Sequence, residues 1–495
     1  MDVEFLKYRF EEKYENVTPH KFKIGVRHLQ ILYMIVISIV VGLHRGSVGA
    51  TMLALTDESR LNDTYIKIHT WDRSTQGIFL FAFFFGYAAM IVPAELWLRR
   101  IGGRYIQTAV LAVSGGLCAA MPTIINRGDY SAVFSAQLFM GMAQSGLSPA
   151  NRCLLEKWLP PDERNKFSWL VYGGVLFGII IGLPVAGRVS EEELGWELIY
   201  YSLAMISLSM AVITFALTAS SPDEHPALGE SEKEFLESVV TSSNKKNTVS
   251  WREIFKSPQF WGIAFAHVFS NTAFIFYLTD VPLFLRIFRL TLRESACWAA
   301  VPFAILWVTY MIMKPVVQLL VACFVPNTYE DMSFSRQLVN PRKIVNFISA
   351  AVFLFLPTLS ALVPDSLVSA FVLLLVISAA LGLQYLGFLE NMSDATDKYR
   401  DDVVMLCTTF ASVVGSFYPL ISGFILRSDV SGVHNWKNLF LFLTTLCVVC
   451  NLIFFKFATS YKMEIKSKVQ TRPNNSVYSP IEMEILSEKD KNGRL

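Results

Sequence analysis

The chain has 495 residues, of which 53% are hydrophobic and only 17% are charged. Its mean hydropathy of +0.42 is far above that of a soluble domain, so the composition indicates a membrane protein. The formal net charge of +2 indicates no charged partner such as nucleic acid, and the seven cysteines show neither a disulfide framework nor metal-ligand spacing.

Apolar runs of membrane-spanning length follow one another from residue 29 onward. A spanning helix needs about 20 predominantly apolar residues, and about twelve such runs can be placed. The segment before the first run carries both acids and bases, unlike a cleavable signal peptide, so that run is retained as a span. We therefore predict an all-α membrane protein with twelve transmembrane helices. The predicted spans are 29–52, 76–98, 106–125, 131–154, 168–188, 198–218, 259–285, 297–323, 344–363, 367–389, 403–426 and 438–458.

Arg45 lies in the first span, in "GLHRGSVGATM", among apolar and small residues. A charged side chain inside a membrane is costly, which makes Arg45 a candidate functional residue. The alternative is that Arg45 lies near the outer end of its helix and extends to the interface. Because a guanidinium can hold a carboxylate or phosphate through paired hydrogen bonds, we predict that Arg45 contacts an anionic substrate.

Charged turns follow the second and fourth spans, at 99–105 ("RRIGGRY") and 157–167 ("KWLPPDERNKF"). The two prolines of the second turn end the fourth span, and the acids after them suit the start of a helix. One interpretation is a well-capped turn. The other is that the two turns form ion pairs that hold the bundle closed on this side. The residues of this predicted gate are Arg100, Arg104, Glu163 and Arg164.

Uncharged polar side chains occur in several other spans. Gln137 and Gln144 are two helical turns apart in the fourth span, so they share a helix face. They either line a central cavity or join helices by hydrogen bonds. The same alternatives apply to the other candidates for a substrate site near the middle of the membrane. These are Tyr87, Asn271, Tyr277, Tyr310 and Gln384.

The longest polar interruption, 219–257, divides the spans into six plus six. It is too polar for a bilayer and too short for a domain, so we predict a linker between two six-helix bundles. The predicted organisation is an N-terminal segment (1–28), a first bundle (29–218), the linker (219–257), a second bundle (258–458) and a disordered tail (459–495).

Lysine and arginine cluster at one set of span ends, before the first and ninth spans and after the second and twelfth. The positive-inside rule assigns this face, and with it both termini, to the cytosol. The acidic stretch 191–193 falls on the opposite face. Arg286, Arg289 and Arg293 also fall there and argue against this assignment.

Two short signals concern processing and location. The sequon at Asn62 is the one that this topology exposes to the lumen or exterior, so we predict that it is glycosylated. In the tail, "YSPI" from Tyr478 to Ile481 has the spacing of an endocytic signal that a clathrin adaptor binds as an extended strand. It favours an endosomal or lysosomal membrane over the plasma membrane.

The sequence contains no constellation that indicates an enzyme. There is no glycine-rich phosphate loop after a strand, no paired metal ligands and no nucleophile beside a base on a suitable scaffold. We therefore predict neither catalysis nor a cofactor.

Motifs recur in order along the chain, at 84–104 ("FFGYAAMIVPAELWLRRIGGR"), "KWLPPDER", "GIIIGLPVAGRV", "GWELIYY", "SWREIFKSPQFW", "FLENMSDATDKY", "SFYPLISG" and "NWKNLF". In these motifs the chain resembles the anion/cation symporter family of the major facilitator superfamily, which includes sialin, the vesicular glutamate transporters and the type I sodium/phosphate cotransporters. The resemblance implies a carrier of organic anions or phosphate, coupled to H⁺ or Na⁺, that works by alternating access. Arg45 and Ser47 fit the family's arginine followed two residues later by a polar residue.

The chain departs from the family at the positions where its members carry titratable or charged side chains. Those positions hold Leu80, Gln137, Gln144 and Arg152. Glutamine cannot titrate, which puts proton coupling by the family's route in doubt. An uncoupled facilitator of a neutral or zwitterionic solute therefore stays open, as does a transport-inactive relative that acts as a membrane sensor or scaffold.

Overall fold

The computed structural model describes residues 25–57, 67–240, 251–324, 341–362, 366–395, 400–427, 430 and 432–458. All regular structure in these ranges is helical, which confirms the predicted all-α class. The helices are α1 (Val26–Leu55), α2 (Arg73–Ile101), α3 (Gly103–Arg127), α4 (Tyr130–Gln144), α5 (Leu147–Trp158), α6 (Pro161–Val189), α7 (Gly195–Leu217), α8 (Glu230–Val240), α9 (Trp251–Lys256), α10 (Pro258–Thr279), α11 (Val281–Arg286), α12 (Leu292–Phe324), α13 (Pro341–Phe353), α14 (Leu367–Ala395), α15 (Arg400–Ser416), α16 (Tyr418–Ile425) and α17 (Val433–Phe457).

Eleven stretches of the described chain are helical, long and apolar enough to cross a membrane, so the protein is a multi-pass membrane protein. The remaining predicted span, the fourth (131–154), is divided between α4 and α5. Pro149 explains the division because it lacks the N–H that would donate to the carbonyl of Ser145 in a continuous helix. The Ser145 hydroxyl donates to the Met142 carbonyl at 2.8 Å. All twelve predicted spans therefore have a helical counterpart. The seventh and eleventh are also interrupted, between α10 and α11 and between α15 and α16, but the fourth is the one that leaves no single stretch of spanning length.

The helices pack in two groups. In the first group α1 lies along α6, α2 along α4, and α3 along α7; in the second, α14 contacts α12 and α13, and α10 contacts α15 and α17. We call these groups the first and second halves. They meet where α6 contacts α12 and where α2 contacts α15 and α16.

Glycines allow the closest helix contacts. A Cβ atom on Gly178 of α6 would lie 2.2 Å from the Ile39 carbonyl oxygen of α1. Between the halves, a Cβ atom on Gly77 of α2 would lie 2.4 Å from the Pro419 carbonyl oxygen of α16. Close backbone approach at small residues is a common way for membrane helices to associate, because packing replaces the hydrophobic driving force that lipid does not supply.

The bundle has two ends. The first-loop end is where α1 finishes and α2 begins, and the linker end is where α1 begins and α7 finishes. At the linker end, α5 stops at Trp158 and Pro161 begins α6, as expected for the two prolines of the connector.

Candidate functional site

Arg45 lies deep within α1. Ten residues separate it from Leu55, the last residue of the helix, which corresponds to about 15 Å of helix axis. The hydrocarbon core of a bilayer is about 30 Å thick, so Arg45 lies near its middle. This depth disfavours the alternative in which the side chain extends to the interface.

Two other predicted residues contact Arg45. Its Nε atom donates to the Gln144 side-chain oxygen at 3.2 Å, and its guanidinium carbon lies 4.9 Å from the centre of the Tyr87 ring. These side chains come from α1, α4 and α2. A guanidinium over an aromatic face gains electrostatic stabilisation, and this gain is larger where water is excluded.

Hydrogen-bond donors remain available at this cluster. The bond to Gln144 uses Arg45 Nε and leaves the two terminal nitrogens of the guanidinium outside it. Gln144 is 1% exposed, and its amide nitrogen has no hydrogen-bond partner among the described residues. A buried donor without a partner is costly, and an anion could satisfy both groups.

Tyr87 places this cluster beside the second half. Its ring packs against a group of apolar side chains that comes mainly from α10, α14 and α15, including Phe260, Phe388 and Leu406. Arg45, Tyr87 and Gln144 together therefore form what we call the Arg45 cluster, at mid-depth and next to the boundary between the halves.

The remaining candidates of the first half point elsewhere. The Ser47 hydroxyl donates to the carbonyl of His44 in its own helix at 2.9 Å. The Gln137 side chain lies beside the Tyr200 hydroxyl of α7. Gln137 and Gln144 thus join α4 to different helices, and only Gln144 reaches Arg45.

The candidates of the second half make contacts within that half. Asn271 donates to the Ala411 carbonyl at 3.2 Å, Tyr277 to the Leu374 carbonyl at 2.8 Å, and Gln384 to Asn451 at 3.4 Å. In α12, Lys314 donates to the Tyr310 hydroxyl at 3.4 Å. Their role in substrate binding stays a prediction.

The predicted gate residues at the linker end have other partners in this conformation. Glu163 accepts two hydrogen bonds from Arg27, each 3.0 Å long, and Arg27 also pairs with Glu232 of α8 at 3.2 Å. Arg164 donates to the Glu156 carbonyl at 3.0 Å. Arg104 donates to the Phe215 carbonyl, and Arg100 is exposed. The connector is thus held to α1 and the linker helix.

Two charged clusters that join the halves were not predicted from the sequence. At the linker end, Arg152 of α5 pairs with Glu95 of α2 and, at 3.3 Å, with Asp401 of α15. At the first-loop end, Arg73 of α2 pairs with Asp280, the residue after α10. The sequence did offer one signal, because each pair carries opposite charges at span ends on the same face.

The predicted glycosylation site, Asn62, and the predicted sorting residues, Tyr478 and Ile481, lie outside the described residues.

Comparisons with known proteins agree with this architecture. A family model described as Major Facilitator Superfamily matches residues 34–400. Sialin of Homo sapiens is 26% identical over 405 residues, which cover 79% of this chain and 77% of sialin. Sodium-dependent phosphate transport protein 3 of Mus musculus is 26% identical over 436 residues, covering 86% and 87%.

Solved structures share the fold at low sequence identity. A bacterial homologue of the human lysosomal transporter Spinster superposes with a TM-score of 0.64 at 14% identity, covering 88% of this chain and 97% of that one. A D-xylose-proton symporter superposes with a TM-score of 0.64 at 12% identity, covering 87% and 98%.

Proposed function

Because the chain belongs to the major facilitator superfamily, we propose that it is a secondary active transporter that moves a small organic anion or phosphate by alternating access. The two six-helix bundles, 29–218 and 258–458, would move against each other around a site at mid-depth. The similarity of the chain to sialin and to sodium-dependent phosphate transport protein 3, which is named for its transport of phosphate, supports an anionic substrate.

The observation that carries the proposal is the Arg45 cluster. The described side chains that contact the Arg45 guanidinium, Gln144 and Tyr87, are both neutral. A charge inside a membrane without a counter-charge is costly even when it is only half-buried, so an anion that enters the site gains a strong partner and relieves that cost. The terminal nitrogens of Arg45 and the free amide nitrogen of Gln144 would donate to its oxygens.

The finer parts of the proposal rest on the sequence. The linker end and both termini would face the cytosol, and Asn62 would be glycosylated on the opposite side. The membrane would be lysosomal or endosomal, with Tyr478 and Ile481 read by a clathrin adaptor, or the plasma membrane. The coupling ion would be H⁺ or Na⁺.

The test is uptake into proteoliposomes that contain the full chain. Labelled inorganic phosphate and labelled small carboxylates would be offered with a proton gradient, a sodium gradient or a membrane potential imposed separately. We expect uptake under at least one condition. Arg45→Gln should reduce this uptake about 10- to 100-fold, the loss expected when a hydrogen bond between charged groups is removed.

Arg45→Lys is the matched variant because it keeps the charge but not the paired geometry, and we expect it to retain part of the uptake. No uptake by the parent chain under any gradient would support a transport-inactive sensor or scaffold. Equal uptake by the parent and Arg45→Gln would show that Arg45 does not bind the substrate.

A further inference from the structure

Asp280 joins three helices of both halves at the first-loop end. Arg73 of α2 donates to one of its carboxylate oxygens, and Tyr418 of α16 donates to the other at 2.6 Å. The Arg73 side chain is 3% exposed and that of Asp280 is 0% exposed. We propose that Asp280 is a proton-binding site that controls opening of this end: the ionised carboxylate holds the halves together, and the protonated carboxyl lets them separate.

The pair crosses the boundary that has to open. A Cβ atom on Gly49 of α1 would lie 2.3 Å from the Leu278 carbonyl oxygen of α10, and Gly77 lies equally close to α16. The two halves are therefore in direct contact on either side of the Arg73–Asp280 pair, α1 with α10 and α2 with α16. Any path to the Arg45 cluster from this end requires them to part, which breaks the ion pair.

Arg73 and Asp280 form the most deeply buried of the described ion pairs that cross the halves at this end, since the next, Asp57 with Arg286, has side chains 7% and 27% exposed. Two further ion pairs cross the halves at the same end, Asp57 with Arg286 at 2.9 Å and Asp72 with Arg427 at 3.5 Å. Asp72 and Arg427 are 43% and 63% exposed, so water can replace their contact at little cost. Separating Arg73 from Asp280 instead leaves a charged carboxylate in a buried place, and a bound proton removes that charge.

Within the described part of the chain, few charged or titratable groups surround Asp280. Arg73 also donates to Gln76 at 3.0 Å, and the Thr279 hydroxyl donates to Asp280 at 3.3 Å. Burial lowers the pKa of His69, which contacts Asn126 and Trp196 of the first half instead. The groups that face the site from the packed elements are Arg73 and Gln76 of α2, Thr279 of α10, Tyr418 and Ser422 of α16, and the outer pairs Asp57–Arg286 and Asp72–Arg427.

This inference rests on the proposed carrier function and adds a titratable group that the sequence lacks at the family's usual positions. Proton binding at Asp280 would make the first-loop end open more often when its compartment is acidic. With the sidedness proposed above, that compartment is the lumen or exterior.

The experiment measures the distance between the halves without substrate. Spin labels would be attached to cysteines introduced at Thr70 and Thr291, two exposed residues at the first-loop end of different halves. The background is Cys297→Ser, which removes an exposed cysteine. The full chain in lipid nanodiscs would be measured between about pH 7.5 and about pH 3.5, a range whose lower end lies below the ordinary pKa of an aspartic acid, about 3.9.

We expect the long-distance population of the parent to rise several-fold at the lower pH. Asp280→Asn should show the long distances at both pH values. Tyr418→Phe removes one hydrogen bond to Asp280, so it should raise the long-distance population at neutral pH by less than Asp280→Asn does. If Asp280→Asn does not fold, Tyr418→Phe serves as the test of the proposal. Distances that are insensitive to pH in the parent, or a pH response preserved in Asp280→Asn, would overturn the proposal.

Asp72→Asn is the matched control. Hydrogen bonds from Ser74 and Thr75 lower the pKa of Asp72 to about 2, so it stays ionised over the whole range, and asparagine caps a helix equally well. We expect this variant to keep the pH response of the parent. If the distances respond to pH but the proteoliposomes show no uptake, the proton site is supported and the proposed carrier function is rejected. If uptake depends on Arg45 but the distances do not respond to pH, the carrier function is supported and the proton site is rejected.

Discussion

Gln144 is the neighbour of Arg45 whose charge can be changed with almost no change in shape. In Gln144→Glu, a carboxylate oxygen would take the place of the amide oxygen that accepts from Arg45 Nε at 3.2 Å. The new ion pair would satisfy the guanidinium internally and repel an incoming anion. We expect anion affinity to fall about 10- to 100-fold, measured as the concentration dependence of phosphate uptake.

Gln144→Met separates the charge from the loss of the hydrogen bond. It removes the acceptor without adding a carboxylate, so we expect affinity to fall by only about 2- to 10-fold. Thermal unfolding of both variants would show whether either is simply less stable. Equal losses of affinity in the two variants would contradict the role of Arg45 as the partner of an anion.

Tyr87 contributes to the same cluster through its ring. Tyr87→Phe keeps an aromatic face under the guanidinium, which lies 4.9 Å from the ring centre, whereas Tyr87→Leu removes it. A buried cation–aromatic contact contributes about 0.5 to 2 kcal/mol, so we expect Tyr87→Leu to weaken uptake about 2- to 30-fold and Tyr87→Phe to stay within about 2-fold. A larger loss in Tyr87→Phe would show that the hydroxyl, and not the ring, contacts the substrate.

Arg45, Tyr87 and Gln144 could each be selected from the sequence, because polar side chains in apolar spans are few. Their contact could not be predicted, since they lie on three different helices. Gln384 and Tyr277 met the same criteria yet bond within the second half. Membrane helices are apolar toward both lipid and neighbouring helices, so the sequence pattern does not show which side of a helix faces the centre.

At the scale of elements, eleven of the twelve predicted spans correspond to stretches long and apolar enough to cross a membrane, and the break in the fourth was not predicted. Pro149 was visible in the sequence, but proline is frequent in membrane helices and many prolines here lie inside continuous ones, such as Pro93 in α2 and Pro184 in α6. What distinguishes the α4–α5 break is the turn of Ser145 and Gly146 that precedes Pro149.

The contact between α1 and α6 depends on glycine at close approach. In Gly178→Ala the added Cβ atom would lie 2.2 Å from the Ile39 carbonyl oxygen, so the two helices must move apart. Overpacking of this kind costs about 1–3 kcal/mol, and we expect the thermal unfolding midpoint in detergent to fall accordingly.

Gly116→Ala is the matched substitution in α3. Nothing lies within 4 Å of the Cβ atom that it adds. Alanine is the better helix former by about 1 kcal/mol, so we expect this variant to unfold at the same or a higher temperature. If the two substitutions had the same effect, backbone propensity and not the α1–α6 contact would explain it.

At the scale of the whole molecule, the two ends are held together unequally. Three described ion pairs cross the halves at the first-loop end, by way of Asp57, Asp72 and Arg73, together with two close glycine contacts. At the linker end, the described pair that crosses is Arg152 with Asp401, both partly exposed. The structure is therefore closed at the first-loop end and joined more weakly at the linker end.

Composition and span counting predicted the class, and motifs predicted the family, but neither predicted this asymmetry. Arg73 and Asp280 are 207 residues apart in the chain, and each looks like an ordinary charge at the end of a span. Such pairs depend on how the two halves are oriented, which is a property of one conformational state and is not encoded in local sequence patterns.

The linker end supplies the last prediction, because Arg152 contacts a carboxylate in each half there. Asp401→Asn leaves Arg152 paired with Glu95 and weakens the contact to α15, which is partly exposed and therefore contributes only about 0.2–1 kcal/mol. We expect this end to open about 1.5- to 5-fold more often, measured as faster maleimide labelling of Cys407, a fully buried thiol of α15. Asp401→Glu keeps the charge that pairs with Arg152 and should label like the parent. Labelling of Cys407 that is equally fast in Asp401→Glu and Asp401→Asn would mean that the bridge to Arg152 does not set how often this end opens.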